Sequence, residues 1–246
     1  MRRACLALVI ALGAAGCGSS ASHSSTSPST SSSTASASST ATGTTTGATP
    51  SGGAAPAACR TVPVPAPKGP QHLAAPSIKL DPARTYTVTV LTNCGTFAFA
   101  LDVKHSPKTS ASIYYLVKRG FYDGLTFHRV ASGFVIQGGD PLGNGTGGPG
   151  YSVVEAPPAS TQYVRGDVAM AKTQTDPPGA SGSQYFIVTG PNISQSAQLP
   201  PDYALAGKVV TGIGVVEKIG ALPTNPPGDG APSPAVVMSK VTVSSR

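Results

Sequence analysis

The chemistry-bearing residues concentrate in two stretches, Phe127-His-Arg-Val-Ala-Ser-Gly-Phe-Val-Ile-Gln-Gly-Gly-Asp140 and Gly182-Ser-Gln-Tyr-Phe-Ile-Val188. Each sets one amide side chain, Gln137 or Gln184, among aromatic and aliphatic residues, and the first adds a single guanidinium, Arg129. A fixed cation beside an oily recess can hold a ligand and stabilise charge that develops on it, by binding the transition state better than the ground state. Equipment for breaking bonds is missing. No Ser stands in a G-x-S-x-G elbow, and neither HExxH nor CxxC occurs. His105 and His128 belong to no carboxylate cluster. The run Gly143-Asn-Gly-Thr-Gly-Gly-Pro-Gly150 lacks the Lys-Ser/Thr pair of a phosphate-cradling loop and the helix that follows a dinucleotide turn. No metal or cofactor set is therefore read from the sequence.

Strands must position these groups. Thr85–Leu91 is β-branched and alternating, Asn93-Cys94-Gly95 reads as a turn, and Thr96–Leu101 alternates again, so the pair predicts a hairpin. Pro107–Arg119 predicts a helix, with Ser106 as its cap, Pro107 in its first turn, Gly120 at its end and a stripe of Ile113, Leu116 and Val117. Short strands follow at Thr126–Val130, Phe134–Gln137, Val168–Ala171, Gln184–Val188 and Ala206–Gly212, divided by Gly and Pro. A second helix is expected over Gly214–Lys218, and Val236–Val243 is a closing strand. Strand alternation points His128 away from Arg129, which makes it structural. There is no βαβ rhythm and no internal repeat. Residues 77–246 thus read as a mostly β domain, an antiparallel barrel or sandwich with one or two helices over its ends.

The chain before this domain is of another kind. Arg2 and Arg3 precede an apolar stretch, Ala4–Ala15, that is too short to span a bilayer and ends in small residues before Cys17. Residues 1–16 resemble a bacterial lipoprotein signal, although Ala14 stands where Leu is usual. Cys17 would then carry a lipid to the membrane, and ordinary secretion is the alternative. Loss of Arg2 and Arg3 lowers the formal charge from +7 to +5. From Ser19 to Ala58 the chain has 23 Ser or Thr in 40 residues, with no charged and no aromatic side chain. Residues 17–58 therefore read as a disordered tether spanning about 35 Å root-mean-square. Residues 59–76 form a stiffer, Pro-rich spacer. Export permits a disulfide between Cys59 and Cys94, the other outcome being two free thiols. The positive charge is scattered, with no run of three Lys or Arg, which argues against nucleic acid as a partner. Nothing points beyond a monomer.

The two stretches, together with Asn144–Gly148 and Arg165-Gly-Asp-Val-Ala-Met-Ala171, resemble the cyclophilin family of peptidyl-prolyl cis/trans isomerases. The matching motifs keep family order across roughly Thr85–Val243. The resemblance implies a closed, antiparallel eight-stranded barrel capped by two helices, and an isomerase that needs no cofactor. It implies Arg129 and Gln137 as the catalytic pair. It also implies that Phe134, Val135 and Phe186 wall a proline pocket, partly exposed, with Gln184, Gly145 and Ala171 along a peptide groove. Lys172 stands where the family often has Asn. Gln198-Leu199 stands where the family has Trp or Phe followed by Leu, which leaves Leu199 as a wall, and Tyr203 falls at the family's histidine position as an aromatic wall. The implied partners are proline-containing peptides and unfolded exported proteins. A binding or chaperone module with little catalysis is the alternative, and a structural envelope lipoprotein that has lost the site is a third reading.

Overall fold

A computed structural model describes residues 58–197 and 199–246; the signal segment, Cys17 and the tether up to residue 57 lie outside the described residues. In chain order the elements are β1 (Tyr86–Thr92), β2 (Gly95–Leu101), α1 (Pro107–Lys118), β3 (Thr126–Ala131), β4 (Val135–Gly138), β5 (Val153–Val154), β6 (Asp167–Met170) and β7 (Ala180–Ser181). They continue with β8 (Tyr185–Val188), α2 (Ile193–Ser196), β9 (Leu205–Thr211), α3 (Ile213–Gly220), β10 (Thr224–Asn225), β11 (Asp229–Pro232) and β12 (Val236–Ser245).

Eight strands pair in the order β3-β12-β1-β2-β9-β6-β8-β4, and β4 pairs with β3 to close the ring. Every pairing is antiparallel. The barrel reading holds and the sandwich does not, because closure leaves none of these eight strands as a free edge. Inward side chains fill one core. Val88, Val90, Phe97, Phe99, Phe127, Val130, Ile136, Val168, Met170, Tyr185, Ile187, Met238 and Val241 join it from the strands. Helix α1 adds Ile113, Leu116 and Val117, and α3 adds Val216 and Ile219, so these two are the expected helices.

Three features differ from the sequence reading. Ser106 sits at the N-cap of α1 but its side chain makes no capping bond. The Glu155 carboxylate does that work instead, accepting from Lys108 N at 3.1 Å and Thr109 N at 2.9 Å. Helix α2 is a single turn, too short to carry a periodic pattern. The β10–β11 hairpin lies in a Gly- and Pro-rich stretch without alternation, and only its pairing with β3 makes it regular.

The Pro-rich segment 59–76 has no regular structure, yet it lies on the barrel. Cys59 is disulfide-bonded to Cys94 in the β1–β2 turn, which removes the free-thiol alternative. Arg60 N donates to Asn93 O at 3.0 Å, Lys68 N to Pro141 O at 2.8 Å and Leu73 N to Pro149 O at 2.8 Å. Lys68 Nζ also reaches Phe121 O at 2.8 Å. A Cβ on Gly150 would stand 2.6 Å from Gln71 O, so only glycine lets the strap approach this closely. Among the described residues no helix is long and apolar enough to cross a membrane.

The bridge closes a separation of 35 residues. Loop-closure entropy then sets the expectation that Cys59→Ser, or reduction, lowers unfolding free energy by about 2–4 kcal/mol. Urea titration of oxidised, reduced and Cys59→Ser protein checks this.

Candidate active site

The site lies on the outer face of the barrel, and a register fault puts it there. Strict alternation in β3 would give Phe127 and Arg129 the same face. The β3–β4 register instead shifts between Phe127, opposite Gly138, and Arg129, opposite Gln137. The extra residue, His128, reverses parity as a β-bulge does. Phe127 and Val130 both enter the core, while Arg129 turns outward. From there one transverse row runs across five strands. Arg129 pairs with Gln137, Gln137 with Phe186, Phe186 with Ala169, and Ala169 with Leu205. The rows on either side, Phe127-Gly138-Tyr185-Met170 and Val130-Ile136-Ile187-Val168, are buried.

Outward apolar residues of these strands, Ala131, Val135, Ala169, Phe186 and Val188, join Tyr163 and Ile193 of α2 in a second, smaller cluster. Phe134, Ala171, Leu199, Tyr203 and Leu205 pack on it half-buried. A pocket of about 150 Å³ opens above, lined by Arg129, Phe134, Val135, Gln137, Ala171, Lys172, Phe186, Leu199 and Tyr203. The expected pocket residues therefore meet. Phe134 is half-exposed, but Val135 and Phe186 are only 2% and 6% exposed. These two are the floor, and Phe134, Leu199 and Tyr203 are the walls. The other two expected residues, Gln184 and Gly145, lie at one side, joined to the pocket through Gln137.

Polar groups run along the rim as one chain of donors and acceptors. Arg129 Nη1 donates to Gln137 Oε1 at 3.2 Å, and Gln137 Nε2 donates to Gln184 Oε1 at 3.0 Å. Gln184 Nε2 donates to Gly145 O and Gly147 O, both at 2.9 Å. The buried Asp140 carboxylate holds that loop from beneath, accepting from Leu142 N at 2.8 Å, Asn144 N at 2.9 Å and Gly145 N at 2.5 Å. Each amide orientation is fixed by its neighbours, since only one assignment satisfies every contact.

Two contributors, Asp229 and Tyr163, escaped the sequence reading. Asp229 grips Arg129 through two bonds of 2.7 Å, to Nε and Nη2. Arg129 thus forms an ion pair while it lines the pocket. Tyr163 supports Tyr203 from below: its hydroxyl donates to Tyr203 O at 2.7 Å and accepts from Tyr203 N at 2.9 Å. Burial pushes the Tyr163 phenol up to about 12, so it stays protonated for this double role. Lys172 lines the pocket with its ammonium 5.4 Å over the Tyr203 ring and 3.9 Å from Asp202 Oδ2. Asp229 and Tyr163 stand in segments with no pattern, and nothing in their spacing marks them.

Residues 87–243 match the family model for "Cyclophilin type peptidyl-prolyl cis-trans isomerase/CLD". A Streptomyces anulatus protein named peptidyl-prolyl cis-trans isomerase B is 38% identical over 176 residues, which are 64% of this chain and 96% of that protein. Peptidyl-prolyl cis-trans isomerase A of Mycobacterium tuberculosis is 35% identical over 186 residues, 68% of this chain and 97% of its own. Among solved structures, a Cryptosporidium parvum cyclophilin type peptidyl-prolyl cis-trans isomerase has a TM-score of 0.58 at 29% identity, covering 66% of this chain and 99% of its own. The same Cryptosporidium protein, in the presence of the dipeptide Ala-Pro, aligns with a TM-score of 0.57.

The bulge residue His128 is itself informative. Neither ring nitrogen has a hydrogen-bond partner among the described residues. Burial lowers its pKa below 6.5, Asp140 opposing and Arg129 reinforcing that shift. The unfolded chain therefore takes up this proton first. The stability of the neutral buried ring is complete above pH 6.5 and is lost as pH falls from there through the folded value. His128→Leu should flatten the fall in unfolding free energy between pH 7.5 and 5 that the parent protein shows, in urea titrations run at stepped pH.

Proposed function

We propose a mechanism and a setting for this chain, which belongs to the cyclophilin-type peptidyl-prolyl cis-trans isomerase family and is a peptidyl-prolyl isomerase. The family's reaction is rotation about X-Pro bonds, against a barrier of roughly 18–20 kcal/mol that comes from nitrogen sharing its lone pair with the carbonyl. Rotation makes the prolyl nitrogen pyramidal and localises that pair. In our reading the proline ring sits on Val135 and Phe186, between Phe134, Leu199 and Tyr203. Arg129 then donates to the nitrogen as it becomes basic, and does so more strongly in the twisted state than in the planar one. Gln137 orients Arg129, while Gln184 and the Gly145 loop carry the rest of the peptide. No covalent bond forms or breaks.

The observation that carries this reading is the presence of Arg129 in the same pocket lining as Phe134, Val135 and Phe186, with Gln137 bonded to its Nη1. The Ala-Pro dipeptide present with the Cryptosporidium relative supports proline-containing peptides as ligands of this chain. Lys172 and Tyr203 depart from the family pattern and, with Leu199 as the remaining wall, motivate the second reading, a proline-peptide-binding or chaperone module with little catalysis. We place the enzyme outside the cytoplasm, on the tether and lipidated Cys17 that the sequence predicts, acting on exported chains.

Exchange spectroscopy on an Ala-Pro peptide separates these readings. Catalysis should be measurable, and Arg129→Ala should lower kcat/KM roughly 10²-fold, the scale of losing one transition-state donor, while peptide binding survives. Binding without exchange would favour the second reading. For the setting, Cys17→Ala should abolish labelling by a palmitate analogue and move the protein from the membrane fraction to the soluble one.

A further inference from the structure

We propose that Asp229 is a positioning residue for the isomerisation, acting through Arg129; the inference rests on the role given to Arg129 above. Asp229 lies 100 residues from Arg129 in sequence and comes from the β10–β11 hairpin outside the closed ring of strands. It pairs with Ala131, and Gly230 pairs with Val130, which places Asp229 diagonally across from Arg129. The backbone there is tightly held. Ser132 N donates to Gly228 O at 2.9 Å, and a Cβ on Gly230 would stand 2.4 Å from Asn225 O. The carboxylate is delivered from a fixed frame, not from a loose loop.

The geometry has a directional consequence. Asp229 takes Nε and one N–H of Nη2, at 2.7 Å each, which locks the plane of the guanidinium. Gln137 takes one N–H of Nη1. Of five donors, two remain, one on each terminal nitrogen, and the lock fixes where they point. As a stability device the pair is poor: the Asp229 side chain is 52% exposed and that of Arg129 36%, so solvent screens the attraction. As a way to hold a fork-shaped donor ready before substrate arrives it is well suited, because a flexible arginine would have to be ordered during each turnover. The negative charge opposes this benefit by weakening the field at the prolyl nitrogen. Solvent exposure reduces that opposing effect more than it reduces the geometric one, which fixes the expected sign.

The test is a cycle of purified full-length proteins: parent, Asp229→Ala, Asp229→Glu, Arg129→Ala and the Arg129→Ala/Asp229→Ala double variant. Exchange on an Ala-Pro peptide is resolved into kcat and KM, and melting temperature is recorded for each. Asp229→Ala should lower kcat about three- to tenfold, with KM moving less than about twofold and melting temperature unchanged. Asp229→Glu should recover part of the loss. In the Arg129→Ala background, removing Asp229 should cost nothing further. A parent-like kcat, a gain in kcat, a loss carried by KM or by melting temperature, or an equal loss in both backgrounds overturns the proposal. A fully active Arg129→Ala protein would sink the role of Arg129 and this inference with it. An impaired Arg129→Ala beside a parent-like Asp229→Ala sinks only the inference.

Discussion

One inserted residue decides which way the arginine points. Without the bulge at His128, Arg129 would share a face with Phe127 and be driven into an apolar core, where an unpaired guanidinium has no place. With it, Phe127 and Val130 both remain buried, and a cation emerges beside the outward row of Gln137, Phe186, Ala169 and Leu205. That row follows from sheet register alone. Barrel closure makes it rigid, because β3 cannot slide against β4 without also moving against β12. The pocket inherits the stiffness of the barrel while lying outside its core.

The rim depends on the same logic of mutual satisfaction. From Arg129 through Gln137 and Gln184 to the carbonyls of Gly145 and Gly147, each group has one orientation that its neighbours accept. The loop at the far end is secured from two sides. Asp140 accepts hydrogen bonds from its inward amides, and the strap from Cys59 to Leu73 touches the loop's two ends at Pro141 and Pro149. The family match begins at residue 87, so this strap lies outside the matched residues. Its disulfide to Cys94 fixes one end and the bond from Leu73 N fixes the other, so the extension stiffens the rim without entering the site.

How much of this was legible in the sequence follows from how far each interaction reaches along the chain. The first two strands alternate, Gly and Pro divide the short ones that follow, and α1 carries its apolar stripe, so local pattern located the strands of the barrel. Arg129, Phe134, Gln137, Gln184 and Phe186 stand in two short stretches whose resemblance to a family named them. Tertiary partners were illegible. Asp229 meets Arg129 across 100 residues, and Tyr163 meets Tyr203 across 40. Ser106 looked like a helix cap because it is the right residue at the right place, but Glu155, from another part of the chain, occupies the amides first. The bulge is invisible as well, since strict alternation gives His128 the outward face and Arg129 the inward one.

Lys172 and Tyr203, which the sequence reading sets apart from the family pattern, both line the pocket. The walls of an apolar recess need only offer apolar contact, which many side chains supply. Tyr203 is set by two backbone bonds to the Tyr163 hydroxyl and by edge-on contacts with Tyr163 and Phe186, so anchoring of its main chain holds an aromatic surface in the wall. Lys172 contributes its stem to the lining while its ammonium lies over that ring and towards Asp202. The floor has less freedom: Val135 and Phe186 belong to paired strands, and any change in their volume is felt in the second apolar cluster. The rim has least of all, because Arg129 is held by Asp229 on one edge and Gln137 on the other. Tolerance to change thus falls from wall to floor to rim, in step with how many partners each residue must satisfy at once.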